Sequence, residues 1–313
     1  MEESVNQPTS RLLLQPGTLW SKATEQTEFA RQCGALKSIE TEYHLIRQQD
    51  ISFVVRTLSN LARKEQASKQ QHQQEHQTGK KIDPFLPYEQ DLFVGDLSAS
   101  HLCLLNKFNV VNNHLLIVTR AFESQTDLLN LQDFTALWRC LEEIDGLAFF
   151  NGGKIAGASQ SHKHLQLIPL PFIPNIMHRP LEEAIANLTF KNSLGQLDSF
   201  PFRHGIAALN ISNQHSPKVA AEIMLQSYQA LLNHVGFEID PQTQQQPGAY
   251  NFLATREWMM IVPRSRESCQ NIPINSLGFA GSLFVRDQSS LQLLKELTPL
   301  KLLTEVAFAY KSY

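Results

Sequence analysis

The sequence has few cysteines and no long apolar run. Its four cysteines, Cys33, Cys103, Cys140 and Cys269, include no C-x-x-C pair, which argues against a disulfide framework or a zinc ribbon and favours a reducing compartment. No apolar segment approaches the roughly 20 residues needed to cross a bilayer, and the polar, acidic N-terminus has no secretory apolar core. We therefore expect a cytoplasmic protein with no membrane partner.

An excess of charge of either sign is also missing. The chain of 313 residues has 27 Lys and Arg against 30 Asp and Glu, a formal net charge of -3. A protein that binds nucleic acid through a general basic field needs a clear excess of Lys and Arg, so we expect no nucleic acid partner. Any polyphosphate ligand must meet a local basic patch. With 42% hydrophobic residues, the chain is large enough for one large domain or two smaller ones.

The N-terminal part of the chain predicts helices with one strand among them. We interpret residues 11–66 as mostly helical, because apolar residues recur at the spacing of one helix face. These positions are Leu36, Ile39, Tyr43 and Ile46. The segment 51–56 is short and β-branched, which predicts a strand.

A polar stretch follows this part of the chain. Residues 64–81 are rich in Gln and Lys and lack large aliphatic side chains, so they predict a mobile surface loop. His72 and His76 stand at i,i+4 spacing within it. That spacing would suit a metal site, and a solvated loop would explain the pair as well.

The middle of the chain predicts a β-hairpin, a helix and a further strand. Residues 101–111 and 114–119 are apolar and extended, and Asn112-Asn113 between them tolerates the positive φ of a turn. Residues 127–145 show helical periodicity. Residues 147–150 should form a strand that ends at the breaker pair Gly152-Gly153.

The second half repeats this order of elements. A helix at about 217–236 precedes two short apolar segments, 249–254 and 258–262, which predict a second strand–turn–strand unit. Either two divergent copies of one unit exist, or the recurrence is ordinary for an α+β protein. We predict an α+β fold of two antiparallel-sheet units with helices packed into one body, divided into residues 1–195 and 196–313.

The segment 157–169 is the most informative part of the sequence. If 162–168 is a strand, alternation places His162, His164 and Gln166 on one face of it. Polar side chains in register on an otherwise apolar strand need partners or a function. Just upstream, the small residues 157–159 would let the backbone approach a ligand, and their amides could donate to phosphate oxygens.

A histidine on this strand is a suitable nucleophile for phosphorus. With an ordinary pKa of about 6.5, its imidazole keeps a free lone pair at neutral pH. Attack would form a phosphoramidate and split one difficult transfer into two easier ones. Two alternatives stay open at this point. The first is a zinc site, because His-x-His is a common zinc-ligand spacing, although Gln is a poor zinc ligand. The second is that the polar side chains on this face of the strand have a purely structural role.

The motif G-A-S-Q-S-H-K-H-L-Q-L-I-P resembles the H-x-H-x-Q signature of the transferase branches of the histidine-triad superfamily. More specifically, the chain is similar to the ATP adenylyltransferase family, also called diadenosine tetraphosphate phosphorylases. The segments L-L-N-K-F-N-V-V, F-F-N-G-G, F-R-H-G-I-A, R-E-W-M-M-I-V-P-R-S and N-S-L-G-F-A-G-S-L-F-V-R follow in the family's order. The resemblance covers roughly residues 15–310. Ser161 stands where the family often has Pro.

The resemblance implies roles for individual residues. His164 would be the adenylylated nucleophile, with Gln166 on the α-phosphate and His162 orienting the nucleophile through its backbone. The implied nucleotide and phosphate contacts are Gly157, Ala158, Ser159, Gln160, Asn106, Lys107, Asn151, Asn275, Ser276, Leu277, Ser282, Arg286 and Arg56. Without the resemblance, Asn106 and Asn151 would equally satisfy backbone groups at strand ends. Arg286 stands where the family has Lys, so phosphate geometry can differ there.

The resemblance also implies an activity. The family phosphorolyses diadenosine tetraphosphate (Ap4A) with inorganic phosphate to ATP and ADP, reversibly, and some members exchange ADP or adenosine phosphosulfate. We expect nucleotides and phosphate as partners, Mg2+ with the nucleotide, no zinc, and a monomer. The alternatives are a histidine-triad hydrolase, a hexose-1-phosphate uridylyltransferase and a non-catalytic nucleotide sensor. A uridylyltransferase typically has Pro where this chain has Lys163.

Overall fold

The computed structural model of the protein describes residues 13–58, 83–173, 181–212 and 214–310. The predicted polar loop at 64–81, with His72 and His76, lies outside these ranges. Within them, no helix is both long enough and apolar enough to span a bilayer.

The described residues form short helices and strands that alternate along the chain. The helices are α1 (Leu19–Gln32), α2 (Leu131–Glu143), α3 (Glu182–Ala186), α4 (Pro217–His234), α5 (Ser276–Phe279), α6 (Gln288–Leu297) and α7 (Pro299–Val306). The strands are β1 (Thr41–Gln48), β2 (Ile51–Leu58), β3 (Phe93–Asp96), β4 (His101–Leu105), β5 (Leu115–Thr119), β6 (Gly146–Gly152), β7 (His164–Pro169), β8 (Leu194–Gly195), β9 (Gly205–Ala208), β10 (Tyr250–Ala254), β11 (Trp258–Pro263), β12 (Ser268–Cys269), β13 (Ile272–Pro273) and β14 (Ser282–Val285).

A large antiparallel sheet runs through both halves of the chain, in the order β3-β4-β5-β7-β6-β10-β11-β9-β8. Strand β6 of the first half pairs antiparallel with β10 of the second half, with Asn151 opposite Asn251. A smaller sheet has the order β1-β2-β14, in which β2 and β14 are parallel. The fold is therefore α+β, as predicted. Helices α2 and α4 each lead into a strand at the junction, β6 and β10 respectively.

The large sheet has an apolar core on each face. On one face, side chains such as Leu165 and Leu167 pack against α1, α2 and α4. On the other face, Phe149 and Ile168 belong to a second core that includes the small sheet and α5–α7. A third, smaller cluster around Phe85 covers β4 and β5. Since alternate residues of a strand share a face, His164 and Gln166 lie on the face of Ile168, between the second and third clusters.

The helix predicted around residues 36–46 is wrong. Strand β1 occupies residues 41–48 and pairs with β2 along its whole length, from Thr41 opposite Leu58 to Gln48 opposite Ile51. The four apolar residues have different environments rather than one helix face. Leu36 and Ile39 are buried in the connection before β1, whereas Tyr43 is exposed on an edge strand. Hairpin pairing with β2 prevailed over the helical spacing.

The other elements agree with the sequence patterns, apart from their ends. The strands predicted at 51–56, 147–150, 249–254 and 258–262 and the helices predicted at 127–145 and 217–236 are confirmed. In the hairpin, however, β4 ends at Leu105, and residues 106–114 form the connection to β5. Within this connection, Asn109 is buried and its side-chain Nδ2 donates to Val111 O.

Candidate active site

Strand β7 carries the histidine motif in the middle of the large sheet. It begins at His164, which lies opposite Val118 of β5, and Gln166 lies opposite Leu116 of β5 and Phe149 of β6. The predicted strand at 162–168 therefore starts two residues later than expected. His162 precedes the strand and makes an isolated bridge with Ser124.

The His164 ring has one nitrogen held by the backbone. Its Nδ1 lies 2.8 Å from His162 O, and because a carbonyl only accepts, Nδ1 carries the proton and donates. Nε2 then bears the lone pair, and it makes no hydrogen bond to any other residue that the structure describes. The ring is only 5% exposed, with the Phe85 ring centroid 5.3 Å away. This burial lowers the pKa of His164 to about 4, and the hydrogen bond to the His162 carbonyl offsets only part of that shift.

His162 has acceptors on both sides of its ring. Nδ1 lies 2.7 Å from Asp83 Oδ2, and Nε2 lies 2.8 Å from Thr119 O. The Thr119 hydroxyl also lies 2.9 Å from Nε2, so hydrogen bonds fix the ring on both sides. The ring is buried and cannot turn without breaking these bonds. His162 therefore holds the backbone carbonyl that orients His164.

Gln125 holds the backbone of His164 from the side of β6. The register of β6 and β7 runs only to the pair Phe149–Gln166. Beyond it, Gln125 Oε1 accepts from His164 N at 2.8 Å, and Gln125 Nε2 donates to Asn151 O at 2.9 Å and His164 O at 3.3 Å. The buried amide thus bridges two separating strands and satisfies backbone groups that would otherwise be unpaired.

The turn before the motif lies against the second half of the chain. Gly157 has a φ of +91°, which favours glycine, and a Cβ there would stand 2.9 Å from Ile274 O and 3.0 Å from Asn275 Cβ. Asn275 caps α5 by accepting from Leu277 N. The exposed Ser159 follows the turn. Glycine is therefore needed for both the conformation and the close approach.

Buried polar side chains tie this turn to the sheet. Asn151 Oδ1 accepts from Asn251 Nδ2 at 2.9 Å and from Ser276 Oγ at 2.7 Å. Asn251 Nδ2 also donates to Ala156 O at 2.8 Å. Arg264 donates to Asn251 Oδ1 at 2.5 Å and to Ile274 O at 2.9 Å. Because of its burial, the pKa of Arg264 is lowered to about 9.

Comparison with known protein families finds a matching family model for each half of the chain. The family model described as "Ap4A phosphorylase N-terminal domain" matches residues 9–187, and that described as "ATP adenylyltransferase C-terminal domain" matches residues 198–309. The chain belongs to the Ap4A phosphorylase family of ATP adenylyltransferases. The resemblance noted in the sequence is thereby confirmed.

Individual relatives and solved structures agree with this family. The chain is 29% identical over 297 residues to diadenosine 5',5'''-P1,P4-tetraphosphate phosphorylase 2 of Saccharomyces cerevisiae, covering 85% of this chain and 87% of the relative. It superimposes on the crystal structure of yeast Ap4A phosphorylase Apa2 with a TM-score of 0.73 at 26% identity, over 93% and 94% of the two chains. For the same yeast protein in complex with Ap4A, the TM-score is 0.72 at 25% identity, over 96% and 100%.

Several residues that the family resemblance suggested as phosphate contacts have protein partners in this structure. Asn151 and Ser276 are buried and bonded to each other, so their side chains support the site rather than line it. Asn106 Nδ2 faces the His114 ring. Lys107 Nζ, on the loop between β4 and β5, pairs with Glu89 Oε1 at 2.5 Å. Leu277 is buried in the second core.

The small sheet holds the remaining suggested contacts. The Arg56 guanidinium donates to Phe172 O at 2.5 Å and Thr41 Oγ1 at 3.2 Å, and its burial lowers its pKa. Ser282 is buried in β14, which pairs with β2, and Arg286 follows this strand. The structure thus brings His162, His164 and Gln166 together on or just before β7 and places Gly157 against Asn275. Arg56 and Ser282 belong to the adjoining sheet, and Arg286 follows it.

Sequence reasoning missed the residues that hold the motif in place. Asp83 and Gln125 lie in connecting segments with no pattern to single them out. His114, Asn251 and Arg264 do have a weak signal, because each is a polar residue at or near the end of an apolar strand segment, where burial demands a partner.

Proposed function

We propose that this protein phosphorolyses Ap4A to ATP and ADP through an adenylyl group carried on His164 Nε2. The observation that carries the proposal is the neutral His164 ring, whose Nδ1–H donates to His162 O and leaves the Nε2 lone pair for attack. The names of the similar yeast proteins and the Ap4A complex of one of them support Ap4A as the substrate.

In the first half-reaction, Nε2 of His164 attacks the α-phosphorus of Ap4A. A P–N bond forms, the P–O bond to the remaining triphosphate breaks, and ATP leaves with the bonding electron pair. The ring gains positive charge as it attacks, and the His162 carbonyl, 2.8 Å from Nδ1, stabilises that charge. The Gln166 amide donates to a non-bridging oxygen and has no titratable proton to give to a leaving group.

In the second half-reaction, inorganic phosphate attacks the adenylyl group. An oxygen of phosphate bonds to the phosphorus, the P–N bond breaks, and the electron pair returns to Nε2, so ADP leaves and the neutral ring is restored. The backbone amides of Ser159 and Gln160 would donate to phosphate oxygens, since those of Gly157 and Ala158 already donate to Lys154 O and Gly153 O. We propose that Lys107, on the loop before His114, offsets the negative charge that repels the incoming phosphate. The same role for Arg286 remains a prediction.

A divalent cation, Mg2+ in our proposal, accompanies the nucleotide. Among the described residues, no group of three or more His, Cys, Asp or Glu side chains could hold a metal ion. Mg2+ prefers phosphate oxygens and water over a dedicated protein cage. The phosphates of the nucleotide would therefore hold it, where it would neutralise part of their charge.

The proposal is tested by product analysis and intact mass. Incubation with Ap4A but no phosphate should release ATP and raise the mass of the protein by one adenylyl group; added phosphate should then yield ADP. His164→Ala should abolish the adduct and lower turnover by about 10³-fold or more, because the nucleophile is lost.

His215→Ala is the matched control for removing an imidazole. His215 lies just before α4, and the variant should form the adduct and turn over like wild type. An adduct on His164→Ala, or equal turnover of that variant, would refute the assignment. AMP with ATP in the absence of phosphate would indicate a hydrolase, and binding without turnover would indicate a sensor.

A further inference from the structure

A chain of hydrogen bonds leads from the loop between β4 and β5 to the catalytic glutamine. His114 Nε2 lies 3.0 Å from Gln166 Oε1, and Asn106 Nδ2 lies 3.3 Å from His114 Nδ1. Asn106 Oδ1 in turn accepts from the backbone N–H of Phe108 at 3.1 Å. His114 is buried beside the Phe149 ring, with the centroids 5.8 Å apart.

The backbone end of this chain sets the direction of every bond in it. An amide N–H only donates, so the oxygen of Asn106 faces Phe108 and its NH2 group faces His114. Of the two ring nitrogens of His114, Nδ1 is the nearer to this NH2 group, at 3.3 Å against 3.5 Å for Nε2, so Nδ1 accepts and the ring proton lies on Nε2. Nε2–H donates to Gln166 Oε1, and the remaining NH2 group of Gln166 is left to donate.

We infer that His114, oriented by Asn106, is a positioning residue that makes Gln166 present its NH2 group, and not its oxygen, to the substrate phosphate. The inference rests on the proposed transfer at His164. The two ends of a glutamine amide have nearly the same shape, so packing alone does not choose between them. With the amide reversed, its oxygen would face an anionic phosphate oxygen, and the stabilising hydrogen bond would become a repulsion.

A double-mutant cycle tests whether His114 acts through Gln166. The measured quantity is the single-turnover rate of adenylyl-enzyme formation with Ap4A. His114→Ala should lower this rate by about 10- to 100-fold, part of the 10²- to 10³-fold typical for losing one such donor, with little change in substrate affinity. In the Gln166→Ala background, the same substitution should change the rate by less than about 3-fold, because there is no amide left to orient.

Two further variants separate positioning from a general loosening of the loop. His114→Gln restores an NH2 group that can donate to Gln166 Oε1 and should recover most of the lost rate. Asn109→Ala removes hydrogen bonds to Val111 O and Ser38 Oγ in the same region, with no contact to Gln166. Its effect on the rate should be equal in both backgrounds. If His114→Ala also lowered the rate by the same factor in the wild-type and Gln166→Ala backgrounds, the inference would be overturned.

The tautomer of His114 provides a test that does not depend on turnover. Nitrogen-15 NMR of the protein labelled at histidine should show His114 neutral and protonated at Nε2. A neutral ring protonated at Nδ1 would overturn the inference even if Ap4A is phosphorolysed. Conversely, wild-type protein that forms no adenylyl adduct would refute the proposed function, and the tautomer would still decide the direction of this chain.

Discussion

At the scale of single residues, the active site depends on how two adjacent histidines differ. His162 is surrounded by acceptors at both nitrogens, whereas His164 has an acceptor at Nδ1 only and is enclosed by the Phe85 ring. Burial therefore favours the neutral form of His164, while hydrogen bonds on both sides hold the His162 ring in place. In our proposal, the same residue type thus supplies a nucleophile and its fixed support within three positions of the chain.

The lowered pKa of His164 predicts an unusual pH dependence. A ring with a pKa of about 4 stays neutral well below pH 6.5, so protonation should not limit attack in weakly acidic solution. We expect the rate of adenylyl-enzyme formation with Ap4A to change by less than about 2-fold between pH 7.5 and pH 5.5. Ap4A suits this measurement because it has no terminal phosphate to titrate near neutrality.

If His164 instead had the pKa of an ordinary histidine, the rate would depend strongly on pH in this range. With a pKa of about 6.5, the neutral fraction of such a ring falls roughly 10-fold at pH 5.5. A rate that drops by this factor would show that His164 is more accessible to solvent than its burial indicates. Stopped-flow mixing with buffers matched in ionic strength gives the measurement.

At the scale of elements, the turn at 157–160 joins the first half of the chain to the second. Its position depends on close contact between Gly157 and the segment that begins at Ile274, and on the buried bonds of Asn251 and Arg264. Strand β7 follows this turn in the chain, and Asn275, which caps α5, packs against it. Residues far away in the sequence therefore fix the turn from which, in our proposal, the Ser159 and Gln160 amides would meet phosphate.

Substitution of Gly157 should disturb both folding and transfer. In Gly157→Ala, the new Cβ meets Ile274 O at 2.9 Å, in a backbone conformation with a φ of +91°. We expect a loss of about 2–3 kcal/mol in the free energy of unfolding, and a transfer rate lowered by about 10-fold or more because the turn must shift. Urea unfolding and single-turnover kinetics give the two values.

Gly17→Ala is the matched control for the backbone conformation alone. Gly17 has a φ of +83° but no atom within 4 Å of an added Cβ. This variant should lose about 1 kcal/mol and keep the wild-type transfer rate. If both variants behave alike, the close approach of Asn275 is unimportant for the turn.

At the scale of the whole molecule, the two halves share one sheet, and each has a buried histidine near the start of one of its strands. His204, just before β9, resembles His164 in that its Nδ1 lies 2.8 Å from the carbonyl of the residue two positions earlier, Phe202. Its Nε2, however, accepts from Leu197 N at 2.8 Å, and the ring is fully buried. The second half therefore uses its histidine to stabilise the fold.

Buried neutral histidines should make the protein sensitive to acid. The pKa values of His164 and His204 are both lowered to about 4, so between about pH 6.5 and pH 4 the unfolded chain binds protons that the folded chain does not. Lowering the pH through this window therefore favours unfolding. Each ring should cost about 2 kcal/mol of stability at pH 5 relative to pH 7.5.

His204→Gln separates this effect from other titrations. Glutamine does not titrate, so the difference in unfolding free energy between pH 7.5 and pH 5 should be smaller than in wild type by about 2 kcal/mol. Comparing the two pH values within each variant removes the cost of the substitution itself. An equal pH dependence in both proteins would contradict the assignment, and urea unfolding at the two pH values decides it.

Sequence alone predicted the α+β class, most strands and helices, and the strand with His164 and Gln166, which begins two residues later than predicted. Alternation, helical periodicity and a family motif are local properties, and they identify elements and candidate side chains wherever the chain folds. Tertiary structure decided that residues 41–48 are a strand, because pairing with β2 outweighed helical spacing. It also decided which groups support the motif: Asp83, Gln125 and His114 lie 79, 39 and 52 positions from the residues they contact. No local sequence pattern predicts contacts between residues so far apart in the chain. Burial of a polar group shows that it needs a partner but does not specify where in the chain that partner lies.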